Sequence, residues 1–192
     1  MNSWRTTALV GAFALGSALI STTSAVGSPP DATGKPILDQ FNTATLSSTL
    51  NGGSTAYQWQ QGITAGIAGQ LMRIDLYVDI APAFGDVVAT EVSVTLGSPW
   101  GSGTPAWTST EILRSGWNTF DVAKAKIFVD VGDEYAIGIH GQSQNNFNPG
   151  FGFSKDDQYP GGDLFLNGSN AESVGNDLLF RTYVRAKRVK GN

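Results

Sequence analysis

Three carboxylates and a handful of aromatic rings are the residues of this chain with most chemistry to offer. Asp156, Asp157 and Asp163 fall in one turn-rich stretch, Ser154 to Gly162 and the residue after it. Hard oxygen donors clustered on flexible backbone suit Ca²⁺, so these three are the candidate metal ligands, with backbone carbonyls to complete the shell. No D-x-D-x-D-G run accompanies them, and a solvated acidic turn is the competing explanation. The rings are Trp100 in Ser98-Pro-Trp-Gly-Ser102, Trp107 two residues after Pro105, Phe147 in Gln144-Asn-Asn-Phe-Asn-Pro149, and Tyr159 beside the acidic loop. Flanked by turn residues, they are candidate platforms for a sugar ring, with Asp157 and the amides of Gln142 to Asn148 to fix hydroxyls. Packing over the ends of the fold is the alternative for each ring. Trp59 and Trp117 sit inside strand patterns and are expected in the core.

Covalent chemistry has little to work with. The chain has no cysteine and one histidine, His140, so neither a Cys-His pair nor a histidine-rich metal site can form. No G-x-S-x-G elbow is present to serve a hydrolase triad. Two carboxylates at roughly 5–9 Å could hydrolyse a glycosidic bond. Asp75 and Asp79 share a strand face but lie about 13 Å apart along it at ~3.3 Å per residue, so Glu91 or Asp157 would have to supply a partner.

What positions these groups is a succession of short strands. Asp177 to Val184 alternates cleanly, with Leu178, Phe180, Thr182 and Val184 on one face and Leu179, Arg181, Tyr183 and Arg185 on the other. Leu71 to Ile80 does the same, Ile74, Leu76, Val78 and Ile80 opposing Asp75, Tyr77 and Asp79. Further strands are expected at Ile37–Phe41, Ala56–Thr64, Glu91–Leu96, Ala106–Leu113, Trp117–Val122, Ile127–Val131, Tyr135–His140, Phe151–Phe153 and Leu164–Leu166. No helical period persists for three turns; Val122 to Lys126 has room for one. About ten strands without intervening helices predict an all-β, antiparallel, two-sheet β-sandwich, a jelly roll ahead of an immunoglobulin-like sandwich. Glycine supports this: 24 residues, placed between apolar runs at no fixed period.

The first 25 residues read as a signal peptide. Arg5 is the sole charge, Ala8 to Ile20 is apolar or small, and Thr23 and Ala25 suit cleavage. Thirteen apolar residues are short for a membrane span. Residues 26–36 (VGSPPDATGK and Pro36) form a flexible lead-in, 37–186 the domain and 187–192 a basic tail. The expected location is therefore extracellular or periplasmic. Twelve basic and 16 acidic residues leave the whole chain at −4, an unfavourable balance for nucleic acid. Asn167-Gly-Ser169 is a glycosylation sequon, relevant in a eukaryotic source.

Ser154-x-x-Asp157-x-Tyr159-x-Gly161-Gly162, followed by Asp177-Leu-Leu-Phe-Arg-Thr-Tyr-Val184, resembles a pattern of jelly-roll β-sandwich modules in secreted and surface bacterial proteins. Gln60 to Gly66 is similar to the early part of the same modules, and Gln158 departs from the proline expected there. The resemblance spans about Phe41 to Val184 and implies a domain similar to carbohydrate-binding modules. A secreted, non-catalytic binding module for carbohydrate or another extracellular surface component is the expected function. A small polysaccharide-active enzyme (glycosidase or lyase) and a structural or adhesive envelope protein are the alternatives.

Overall fold

In a computed structural model, residues 34–51, 58–80, 89–142, 149–167 and 176–187 are described. The signal peptide, most of the lead-in, Phe147 and residues 188–192 of the tail lie outside them. Thirteen strands are present among these residues, joined by one turn of 3₁₀ helix at Ala123–Ala125. In chain order they are β1 (Ile37–Asn42), β2 (Ser48–Asn51), β3 (Gln58–Thr64), β4 (Gly69–Ile80), β5 (Ala89–Leu96), β6 (Trp107–Ile112) and β7 (Gly116–Asp121). β8 (Phe128–Val129), β9 (Glu134–Gly141), β10 (Gly150–Ser154), β11 (Leu164–Leu166), β12 (Asp177–Leu178) and β13 (Phe180–Ala186) follow. No helix among the described residues is long and apolar enough to cross a membrane.

The strands form two antiparallel sheets, as the alternating pattern predicts. One has eight strands, ordered β1-β13-β4-β10-β12, with β2 on β10 and both β7 and β8 on β4; the other has five, ordered β11-β3-β9-β5-β6. Central β4 and β13 carry the register of the larger sheet: Phe180 faces Leu76, Arg181 faces Asp75 and Thr182 faces Ile74. Their inward side chains, Ile74, Leu76, Val78, Phe180, Thr182 and Val184, are all fully buried. They meet Ile63, Val92, Val94, Tyr135, Ile137, Ile139 and Leu164 of the smaller sheet. Excluding water from these opposed apolar faces is what holds the layers together, at ~1.5–3 kcal/mol for each fully buried large aliphatic or aromatic side chain.

Strand β2 was not expected. Its Ser48-Thr-Leu-Asn51 has one apolar residue, Leu50, and pairs with β10 along its whole length. Trp59 is half-buried and packs against the core, as anticipated. Trp117 is a correction: it is 38% exposed on the outer face of β7, while Phe120 turns inward at 3%. Period two allows one orientation of this strand, and Phe120 took the inward position. Trp117 pairs in register with outward Tyr77.

Candidate functional site

Two glycines, Gly62 of β3 and Gly162 of the loop facing it, organise the rim. A Cβ on Gly62 would stand 2.8 Å from the Pro99 carbonyl oxygen and 3.3 Å from that of Asp163. Gly62 thus admits two loops at once, and its amide donates to the Asp163 carbonyl at 2.8 Å. Gly162 approaches equally closely from the other side, its Cβ position 2.3 Å from the Gly62 carbonyl oxygen. Here close backbone approach demands residues without a side chain.

The first loop runs from Gly97 to Gly101 and presents Trp100. The Gly101 amide donates to the Ser98 carbonyl at 3.2 Å, closing a turn with Pro99 and Trp100 at its centre. Buried Ser98 pins that turn: its Oγ accepts from the Ser102 amide at 3.2 Å and lies 3.0 Å from Ser102 Oγ. Trp100 is 46% exposed and meets Phe165 edge-on, with ring centroids 6.3 Å apart.

The second loop, residues 155–163, is held from beneath by a buried polar network. Asp177 is 1% exposed; its carboxylate accepts from Gln61 Nε2 at 3.2 Å and from the Tyr159 amide at 3.0 Å. Gln61 Oε1 accepts from the Leu178 amide at 2.8 Å, and Asn42 Nδ2 donates to Ser154 Oγ at 2.7 Å and to the Leu178 carbonyl at 2.9 Å. Burial raises the Asp177 carboxyl to about 6 against the pull of these donors, and the charges of Asp157 and Asp163 push the same way. Thr64 Oγ1 donates to the Gly161 carbonyl at 2.8 Å and completes the attachment.

Between the loops lies an open groove of about 670 Å³, lined by Trp100, Pro99, Thr64, Glu134, Asp163 and Phe165, with Pro160 to Gly162 as its floor edge. An exposed indole stands beside two carboxylates and a threonine hydroxyl, and among the described residues no basic side chain lines the groove. That combination offers a flat apolar face and hydrogen-bond acceptors to a ring bearing hydroxyls, within the ~300–1,000 Å³ usual for ligand clefts.

The other expected site residues are scattered. Tyr159 is a correction as to exposure. It is 5% exposed, packs edge-on against Phe180 at 5.0 Å, and its hydroxyl accepts from the Thr64 amide at 3.2 Å. Burial lifts its phenol above the ordinary range. Trp107 is half-buried at the start of β6 and packs on Phe120 at 6.3 Å, away from the groove. Asp157 and Asp156 are exposed at the loop tip, both with left-handed backbone (φ 47° and 69°). Asp163 alone of the three acids lines the groove; no cluster of three metal-ligating side chains is gathered among the described residues. Glu134 and Thr64 were missed, because they reach the groove from β9 and β3, far from Trp100 in sequence.

No protein-family model matches the chain, and no curated protein matches it. Among solved structures, the chain is similar to one of the cysteine protease and lectin-like domains of a surface layer associated protein of Clostridium difficile. The identity is 13% and the TM-score 0.49, over 83% of this chain and 37% of that one.

Proposed function

We propose that this protein is an exported, non-catalytic binding module whose rim groove takes a neutral or amino-bearing carbohydrate of the extracellular surface. Trp100 carries the reading: an indole left almost half exposed, on a turn pinned by Ser98 and Ser102, at the mouth of a groove. What supports a partner is its place: the exposed indole stands at a groove beside two carboxylates, so a sugar ring that stacks on it also meets hydrogen-bond acceptors. Glu134 and Asp163 accept hydrogen bonds from sugar hydroxyls and repel acidic ligands. The amino-terminal 25 residues serve export in this reading.

The test is a screen of neutral, amino and acidic oligosaccharides against the mature chain, with Trp100→Ala alongside. Binding of a neutral or amino sugar, weakened about tenfold or more by removal of this anchor, is the expected result. An empty screen, or one in which Trp100→Ala binds as well, ends the proposal. The calcium assigned to Asp156, Asp157 and Asp163 enters as an arm with and without chelator, where a rise in affinity or melting temperature with calcium is expected.

A second reading has its own observation, since Glu134 and Asp163 place two carboxylates on one groove. A retaining or inverting glycosidase needs such a pair. Release of reducing ends from a bound oligosaccharide, abolished by Glu134→Gln, would replace the binding module with an enzyme.

A further inference from the structure

On the outer face of the larger sheet a basic side chain is left without an ionic partner among the described residues. Arg181 of β13 stands directly across from Asp75 of β4, the arrangement in which opposite charges ordinarily pair. It does not pair. Arg73 holds the Asp75 carboxylate instead, through Nε at 3.2 Å and Nη2 at 3.3 Å, and Thr119 Oγ1 donates to the same group at 2.8 Å. Asp79, the next acid on that face, accepts from Thr49 Oγ1. Arg181 lies instead over the Trp117 ring, its Cζ 4.0 Å from the centroid, and Trp117 meets Tyr77 edge-on at 5.4 Å.

Stacking uses the flat face of the guanidinium and leaves its edge, the five-donor fork, available to an acceptor. That fork opens on a second groove of about 280 Å³, lined by Thr43, Leu46, Tyr77, Trp117, Leu179 and Arg181. We propose that this groove binds a carboxylated pyranose, a uronic acid residue of an acidic polysaccharide. The carboxylate is received by Arg181, the ring by the apolar wall of Leu46, Leu179 and Tyr77, and a hydroxyl by Thr43. A peptide carboxylate shares the charge but not the fit. The groove lies on the face of the sheet and is too small for an extended chain, which ordinarily takes an unpaired edge or a long cleft. Among the described residues no acidic side chain lines it.

The experiment is a titration of the mature chain followed by tryptophan indole amide resonances. The probes are trigalacturonic acid, galactotriose and N-acetylated triglutamate. Trigalacturonic acid should shift the Trp117 resonance and leave that of Trp100 in place. Arg181→Gln should weaken binding about ten- to a hundredfold, the range of a lost charge-assisted hydrogen-bond pair. Arg181→Lys, which keeps charge and stem but not the fork, should fall between and guards against loss of packing in the glutamine variant. Equal response to galactotriose, equal binding of the acidic peptide, or an Arg181→Gln affinity equal to that of the parent would each overturn the proposal. Because Trp100→Ala leaves this groove intact, failure here and failure at the rim are separable.

Discussion

The rim groove and the sheet-face groove are opposites in both construction and charge. At the rim, two loops are drawn onto β3 by glycines and by a buried Gln61–Asp177–Tyr159 network, and the lining is acidic. On the sheet face strand register does most of the placing. Outward positions of β4, β7 and β13 set Tyr77, Trp117 and Arg181 side by side, Thr43, Ala44, Leu46 and Leu179 add the remaining wall, and the lining charge is basic. A loop-built site can be lost without unfolding the sandwich, whereas a register-built one persists as long as the sheet does.

The largest test of that difference is Gln61→Leu. Gln61 is fully buried, and the change leaves the Leu178 amide without its acceptor and takes from the Asp177 carboxylate one of its two donors, the Tyr159 amide remaining. One orphaned buried amide and a weakened buried carboxylate should cost about 2–4 kcal/mol, read as a lowered urea midpoint. The rim should lose its Trp100-dependent binding, while the folded fraction keeps the Trp117 response within about twofold. Equal losses at both grooves would mean that they are not independently built.

Gly62→Ala is the next largest. The added Cβ meets two backbone carbonyls, and neither can move without its loop. A cost of about 1–3 kcal/mol is expected for such overpacking, with the rim groove again the casualty. A Trp100 resonance unchanged in this variant would show that the loops do not need the close approach.

Protonation acts on the buried acids more gently. Asp177 beneath the rim and Asp39 of β1 are both raised by burial from 3.8 to about 6. Between pH 4 and 6 the folded state therefore binds more protons at these groups than the unfolded chain does. Their contribution to stability is fully present below about pH 4 and is lost as pH rises through 6. A decline on the order of 1–3 kcal/mol is expected over that window. Asp177→Asn should remove roughly half of it, and an unaltered pH profile would show that Asp177 is not titrating there.

How much of this could be read in advance depends on the range of the contacts involved. Alternation in residues 74–78 and 180–184 assigned inward and outward positions correctly, since these are a local property of an extended chain. Trp100 was legible for the same reason, set among turn residues with nothing nearby in sequence to cover it. Tyr159 had equally polar neighbours yet is buried, because Phe180 and the Thr64 backbone arrive from elsewhere in the chain. Trp117 failed differently: either face of β7 satisfied the pattern, and ring size is a poor guide to which side is inward. Strand order and the meeting of Glu134 with Asp163 are purely tertiary.

The smallest expected effect bears on why Arg181 is unpaired. If Arg73 and Thr119 occupy Asp75 so that it competes weakly for Arg181, the residual negative charge of Asp75 still opposes an incoming carboxylate. Asp75→Asn retains an oxygen for the Thr119 hydroxyl and removes that charge. Across a separation on the order of 8 Å in largely aqueous surroundings the relief is about 0.5–1 kcal/mol, so affinity for trigalacturonic acid should rise about two- to fivefold. Stability should fall by about 1–2 kcal/mol, because Arg73 is 41% exposed but the Asp75 side chain it pairs with is 5% exposed, so the pair is only half in water. The gain should shrink as ionic strength rises past ~0.15 M, where the screening length falls below the separation. A decrease in affinity would mean that Asp75 orients Arg181 despite the distance between them, and the guanidinium would then be part of a network rather than a withheld charge.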